Sequence, residues 1–275
     1  MLAGFLWVVG IGAAALFIKR WWFWQVTPMA AYPDASLICW GHRGSPMAAP
    51  ENSMPSFQAA IAAGADGIEL DVMLSADGVV VVRHDFDLER TTDGAGWVDE
   101  TTFEDLSRLN VAHYWTGLKP HRVLRLEDVL EMLPERMLIN IELKPNRWLS
   151  TGVEDKVVAA VRQFGLVGRT VISSFNPYWL LRARRLEKGL SIGYIWWDVD
   201  VPWYLGRPTF MNLLRPEFVH PRYDLVSPEL IDRAHRHGTK VNVWTVNNRP
   251  MIKHLKSMGV DGIFTDFPEL IQTVE

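Results

Sequence analysis

The chain has a single cysteine, Cys39, among its 275 residues. That excludes an internal disulfide and any metal site built on thiolates. Positive charge is also scarce: 28 lysines and arginines face 32 aspartates and glutamates, for a formal net charge of −4. A nucleic-acid surface is normally basic, so no nucleic-acid partner is expected. No G-x-G-x-x-G turn follows the first apolar segment, which argues against a dinucleotide-binding sheet. Residues 2–18 lack any charged or strongly polar side chain. A run of this length sits at the short end of what spans a bilayer core. Lys19, Arg20, Trp21, Trp22, Phe23 and Trp24 then mix cations with aromatics, as interfacial residues do. A signal peptide carries its cations before the apolar core, and here the order is reversed. The reading is a single-pass transmembrane helix with its interfacial segment over residues 1–24, a linker over 25–36 and a globular domain over 37–275. Lys19 and Arg20 place that domain on the cytoplasmic side of the membrane.

Within the domain, short apolar runs alternate with amphipathic ones. Strands are predicted at 37–40, 67–72, 79–82, 137–143, 170–175, 191–196, 217–220, 240–246 and 262–265. Helices are predicted at 52–63, 126–133, 153–164, 178–188, 228–237 and 250–258, the first capped by Asn52 or Ser53. Such alternation indicates α/β architecture with a mainly parallel sheet. A TIM (β/α)8 barrel needs eight strands, and nine segments are present. The surplus one is either 217–220 or a member of the pair at 67–82. Two excursions, 86–118 and 198–215, interrupt the pattern, and the first is long enough to be a functional insertion.

Charged and imidazole side chains gather at the C-terminal ends of predicted strands, where such barrels carry their chemistry. His42 and Arg43 follow the first. Glu69 and Asp71, at i and i+2, face the same side of the second. His84 and Asp85 follow the third, and Glu142 and Lys144 end the fourth. Glu69, Asp71 and Glu142 are oxygen donors suited to one hard divalent cation, Mg²⁺ or Ca²⁺. Arg43 and Lys144 suit the non-bridging oxygens of a phosphodiester. His42 and His84 can exchange a proton near neutral pH, with Asp85 or a backbone carbonyl fixing a tautomer. Singly, each motif is commonplace; in this order at four strand ends, they form the parts of a phosphodiester-cleaving site. Phe175 and Trp244 fall at strand ends and fit a glycerol or alcohol pocket as well as they fit a core. His113, His121, His235, His237 and His254 read as surface residues.

The stretches G-H-R-G at 41–44, A-P-E-N-S at 49–53, G-A-D-G-I-E-L-D-V at 64–72, D-G-V-V-V-V-R-H-D at 77–85, L-E-R-T-T-D-G-A-G at 88–96, I-E-L-K-P at 141–145, S-S-F at 173–175, V-W-T-V-N at 243–247 and G-V-D-G-I-F-T-D-F-P-E at 259–269 follow one another in order. With them the chain resembles the glycerophosphodiester phosphodiesterase family. The resemblance implies a TIM barrel, a divalent metal, and hydrolysis of a glycerophosphodiester to glycerol 3-phosphate and an alcohol. It makes His42 and His84 the acid/base pair, Glu69, Asp71 and Glu142 metal ligands, and Arg43 and Lys144 phosphate contacts. Glu51 takes a supporting role, and 86–118 becomes a cap over the glycerol end. A membrane anchor also admits a lysophospholipase D acting on lysophospholipids. A barrel without catalysis, serving as a membrane-bound binding module, is a third reading that the intact histidines and carboxylates disfavour.

Overall fold

The computed structural model describes residues 23–27, 29–33, 37–144, 148–199 and 207–273. Its strands are β1 (Ile38–Gly41), β2 (Gly67–Leu74), β3 (Val80–Val82), β4 (Leu124–Arg125), β5 (Leu138–Leu143), β6 (Thr170–Ser174), β7 (Ser191–Trp196), β8 (Phe218–Pro221), β9 (Lys240–Val243) and β10 (Gly262–Thr265). Eight of them are parallel and run in the order β1, β10, β9, β8, β7, β6, β5, β2, and a β1–β2 pairing closes the ring. The expected TIM barrel is present. The surplus segment is β3, which pairs antiparallel with the upper part of β2, through Val72↔Val82 and Leu74↔Val80. The predicted strand at 217–220 belongs to the barrel as β8, and the two-residue β4 was not foreseen. β4 pairs antiparallel with β3.

The helices that return the chain begin with a common device. Ser53, Asn176, Ser227 and Asn248 each accept a hydrogen bond from a backbone N–H of the first turn, with proline beside them in that turn. The side-chain acceptor satisfies an otherwise orphaned donor, and proline lacks the N–H that the first turn would waste. Of the two candidate caps of the first helix, Ser53 has the role. Asn52 instead turns its amide to Asp71.

Period-2 alternation sends one face of each strand inward. Ile38, Trp40, Leu138, Val171, Phe218 and Phe264 form the barrel interior, apart from the larger core between sheet and helices. Close packing forces small residues: a Cβ at Gly67 would lie 2.5 Å from the Trp40 ring, and one at Gly193 2.5 Å from the His220 ring. Cys39 is fully buried on the other face, and burial, helped by Asp66, pushes its thiol up to about 12. It is an inert packing residue.

Above the barrel, residues 83–123 form a cap with its own small core of Met73, Val81, Leu88, Val98, Leu106, Val111 and Val123. At the opposite end, residues expected to be interfacial or linker belong to the globule. Trp24 is buried and stacks on His237 with ring centroids 4.0 Å apart, so His237 is no plain surface residue. Val26 N–H donates to the His237 carbonyl at 3.0 Å. Met29 and Tyr32 are buried too, and the Tyr32 hydroxyl donates to Asn242 at 2.7 Å. The physical reason is that the barrel's strand-N-terminal opening exposes apolar rings that this segment covers. The apolar run at 2–18 lies outside the described residues. Among those described, no helix is long and apolar enough to cross a membrane.

Trp24→Ala is expected to lower the unfolding free energy by about 3 kcal/mol, as for large buried aromatics generally. Phe23→Ala, at an exposed position, should stay within about 0.5 kcal/mol. Urea denaturation of the two variants in the same detergent checks both.

Candidate active site

β2 and β5 lie side by side with Asp71 opposite Glu142 and Glu69 opposite Asn140. This register brings Glu69, Asp71 and Glu142 together, their nearest oxygens all within 4.8 Å of one another. Glu69 and Asp71 are buried. Two cations offset that concentration of charge. Lys144 Nζ donates to Glu142 at 2.9 Å and lies 3.5 Å from Asp71. Arg43 donates its backbone N–H to Glu69 at 2.7 Å while its guanidinium lies 3.6 Å from Asp71 and 3.0 Å from Glu51. To do both, Arg43 adopts a left-handed backbone with φ 54°. Burial, and then the charges of Asp71 and Glu142, push Glu69 well above the usual carboxylate range. Burial acts on Asp71 as well, but Lys144, His84 and Arg43 outweigh it and hold that carboxyl at about 2.

Each of the two expected histidines is tied to a carboxylate. His42 Nδ1–H donates to Asp266 at 2.7 Å, and His84 Nδ1–H donates to Asp85 at 2.7 Å. A carboxylate can only accept, so each bond fixes the proton on Nδ1 and leaves Nε2 outside that bond. Burial raises Asp266, but the bond to His42 outweighs it and the group stays ionised; for Asp85 the His84 and Arg90 bonds do the same. Arg90, on the cap, also makes two hydrogen bonds to Glu51, at 2.9 and 2.6 Å. Glu51 therefore bridges Arg90 and Arg43.

These groups open on one cavity of about 390 Å³. Its lining combines His42, Arg43, Glu69, His84, Glu142 and Lys144 with the apolar side chains of Phe175, Ile195, Trp197, Trp244 and Phe264. Asp71 and Glu51 lie behind its surface. Phe175 meets Trp244 edge-to-face at 5.9 Å, and Trp197 at 6.2 Å. Both expected aromatics thus face the cavity. Asn140 and His220 also line it.

Asp266, Arg90, Asn140, Trp197 and His220 were missed by sequence reasoning. The one available signal was for Asp266, Asn140 and His220, which share the inward i, i+2 phase of their strands. The trio of carboxylates fits a hard divalent cation, being all oxygen and densely anionic. Asn140 supports the fit: it neighbours Glu69, and its buried Oδ1 has no hydrogen-bond partner among the described residues. An unmet buried acceptor is costly, by about 1–3 kcal/mol, unless a ligand supplies a donor or a cation.

Comparison with known proteins bears on this arrangement. The model of the glycerophosphoryl diester phosphodiesterase family matches residues 42–270. A glycerophosphodiester phosphodiesterase of Caldanaerobacter subterraneus subsp. tengcongensis is 35% identical over 235 residues, covering 84% of this chain and 94% of that relative. The crystal structure of a glycerophosphodiester phosphodiesterase from Agrobacterium tumefaciens superposes with a TM-score of 0.74 at 28% identity, covering 87% of this chain and 100% of that one. An Oleispira antarctica phosphodiesterase solved with its product sn-glycerol-3-phosphate gives 0.74 at 28% identity, covering 86% of this chain and 96% of that one.

His220 generates a test of stability. Burial lowers it to about 3, so it stays neutral in the fold but takes a proton near pH 6.5 once unfolded. Stability should therefore fall as pH drops below about 6.5, by up to about 1.4 kcal/mol per unit from this group. His220→Gln should flatten that fall in urea unfolding measured between pH 7 and pH 4.5 at about unit steps.

Proposed function

From the premise that the chain belongs to the glycerophosphoryl diester phosphodiesterase family, whose members are phosphoric diester hydrolases, we propose that it hydrolyses glycerophosphodiesters to glycerol 3-phosphate and an alcohol. The observation that carries the proposal is the pairing of two carboxylate-anchored imidazoles with the acidic trio at one cavity, which Glu69 and Glu142 line. The product named in the Oleispira antarctica structure agrees with it.

In this reading Glu69, Asp71 and Glu142 hold one divalent cation, Mg²⁺ or Ca²⁺. The cation, when bound, neutralises phosphodiester charge and favours the more highly charged transition state. Arg43 and Lys144 present N–H groups to the non-bridging oxygens. One imidazole accepts a proton at Nε2 from the attacking hydroxyl, and the other delivers one to the departing alcohol oxygen. The glycerol hydroxyl beside the phosphate is the first nucleophile, forming a cyclic phosphate as the alcohol leaves. Water then opens the ring, with the histidines exchanging roles. Asp266 and Asp85 hold the two rings in the tautomer that this requires. Glu51 keeps Arg43 and Arg90 in place, and the cap at 86–118 covers the substrate. The aromatic wall of Phe175, Trp197 and Trp244 receives the uncharged portion of the substrate.

That wall also supports a second reading, lysophospholipase D action on lysophospholipids, with the apolar run at 2–18 holding the enzyme at a membrane and Lys19 and Arg20 keeping the domain on the cytoplasmic side.

His42→Ala and His84→Ala are each expected to lower kcat by about a hundred- to ten-thousand-fold with the barrel still folded. EDTA should abolish turnover, and Mg²⁺ or Ca²⁺ should restore it; phosphate-product analysis before and after addition checks this. Rapid cleavage of a diester lacking the free neighbouring hydroxyl would sink the cyclic-phosphate route. Glycerophosphoethanolamine and its lysolipid, offered side by side to the full chain in vesicles, separate the two substrate readings. Glycerol 3-phosphate as the main product favours the first and lysophosphatidic acid the second.

A further inference from the structure

The two ends of the barrel carry opposite charge. At the mouth, the cap at 83–123 holds eight acidic and five basic side chains. At the other end, the segments that feed the strands are 63–66, 133–137, 162–169, 184–190, 215–217, 233–240 and 256–261. They hold eleven lysines and arginines against five acids, in a chain whose overall charge is −4. Arg136, Arg162, Arg185, Lys188, Arg233 and Arg236 are exposed there. Cations in a last helical turn complement the helix dipole, which accounts for Arg162, Arg185 and Arg236. It does not account for Arg136 and Lys188, which lie beyond their helices.

The chain enters the globule at this same end. Trp24 is clamped on His237, and its indole N–H donates to Asn212 at 3.2 Å. Phe23, one residue earlier, is 76% exposed, and Leu213, beside Asn212, is 50% exposed. Two outward apolar side chains thus sit at the end of the barrel that carries these cations, at the point to which residues 1–22 lead. Those residues contain the uncharged stretch 2–18, followed by Lys19 and Arg20.

We propose that the strand-N-terminal end of the barrel docks on an anionic phospholipid bilayer, leaving the active-site mouth turned toward water. The docking face itself consists of described residues. Only the consequence for substrate rests on the proposed hydrolase reading: glycerophosphodiesters reach the cavity from solution, without passing through the bilayer to which the enzyme is attached. The mouth also shows exposed rings, Trp97, Tyr114 and Trp148. The acidic cap carries the first two of these, and a negative surface would repel it within a Debye length.

The test is amide hydrogen exchange of the full chain on phosphatidylcholine vesicles with and without phosphatidylglycerol. Exchange at 185–190 and 233–238 is expected to slow several-fold when phosphatidylglycerol is present. Raised salt should erase that difference, and so should the combined replacement Arg185→Glu, Lys188→Glu, Arg233→Glu and Arg236→Glu. The same variant should hydrolyse a soluble glycerophosphodiester at the unaltered rate, since none of the four approaches the cavity. Identical exchange on both vesicles overturns the proposal, as does slowing confined to 97–118 and 148–150, which would put the mouth on the bilayer. Loss of hydrolysis in the parent chain with the exchange difference intact would instead overturn the activity and leave the docking standing.

Discussion

Three carboxylates at the ends of two adjacent strands, two of them withdrawn from water, set the terms for the rest of the site. Unbalanced, such a cluster would cost several kcal/mol per ion. Lys144 and Arg43 are placed to offset it, and neither is free to sit elsewhere. Lys144 ends the same inward-facing row as Glu142, and Arg43 bends into a left-handed turn so that both its backbone and its guanidinium serve the trio. Asn52 takes a similar left-handed turn and donates to Asp71. The G-H-R-G and P-E-N stretches are thus two halves of one electrostatic frame.

The frame extends into the cap. Arg90 binds Asp85, which orients His84, and also Glu51, which holds Arg43. One cap side chain therefore touches supports of both the His84 imidazole and the Arg43 guanidinium. Cap placement and site geometry are coupled through this chain of charges.

The barrel separates its tasks along its axis. The mouth gathers charged groups that are buried against one another and balanced by ion pairs. The interior below it is filled by rings, with Gly67 and Gly193 yielding space to Trp40 and His220. The far end is sealed by Met29 and Tyr32, and the Tyr32–Asn242–His220 hydrogen bonds run from that seal to the cavity floor. The Trp40 ring, stacked on Phe264 at 5.6 Å, is a second contact between the interior and the cavity lining.

The sequence alone determined the alternation of strands and helices, the strand ends at which charged and imidazole side chains gather, and the pairing of Glu69 with Asp71 on one face. All of these are local: a strand repeats every two residues, and a helix start is marked by Ser or Asn before proline. Tertiary structure decided the rest. Whether 79–82 joins the barrel depends on which neighbour it pairs with, and β3 turned out to run antiparallel above it. Asp266 reaches His42 across 224 residues and Arg90 reaches Glu51 across 39; no spacing rule carries such information. Trp24 looked interfacial because its neighbours are cationic and aromatic, yet it packs on His237, 213 residues on. Contacts of that range exist only after the ring of strands closes, because closure is what brings the first strand beside the last.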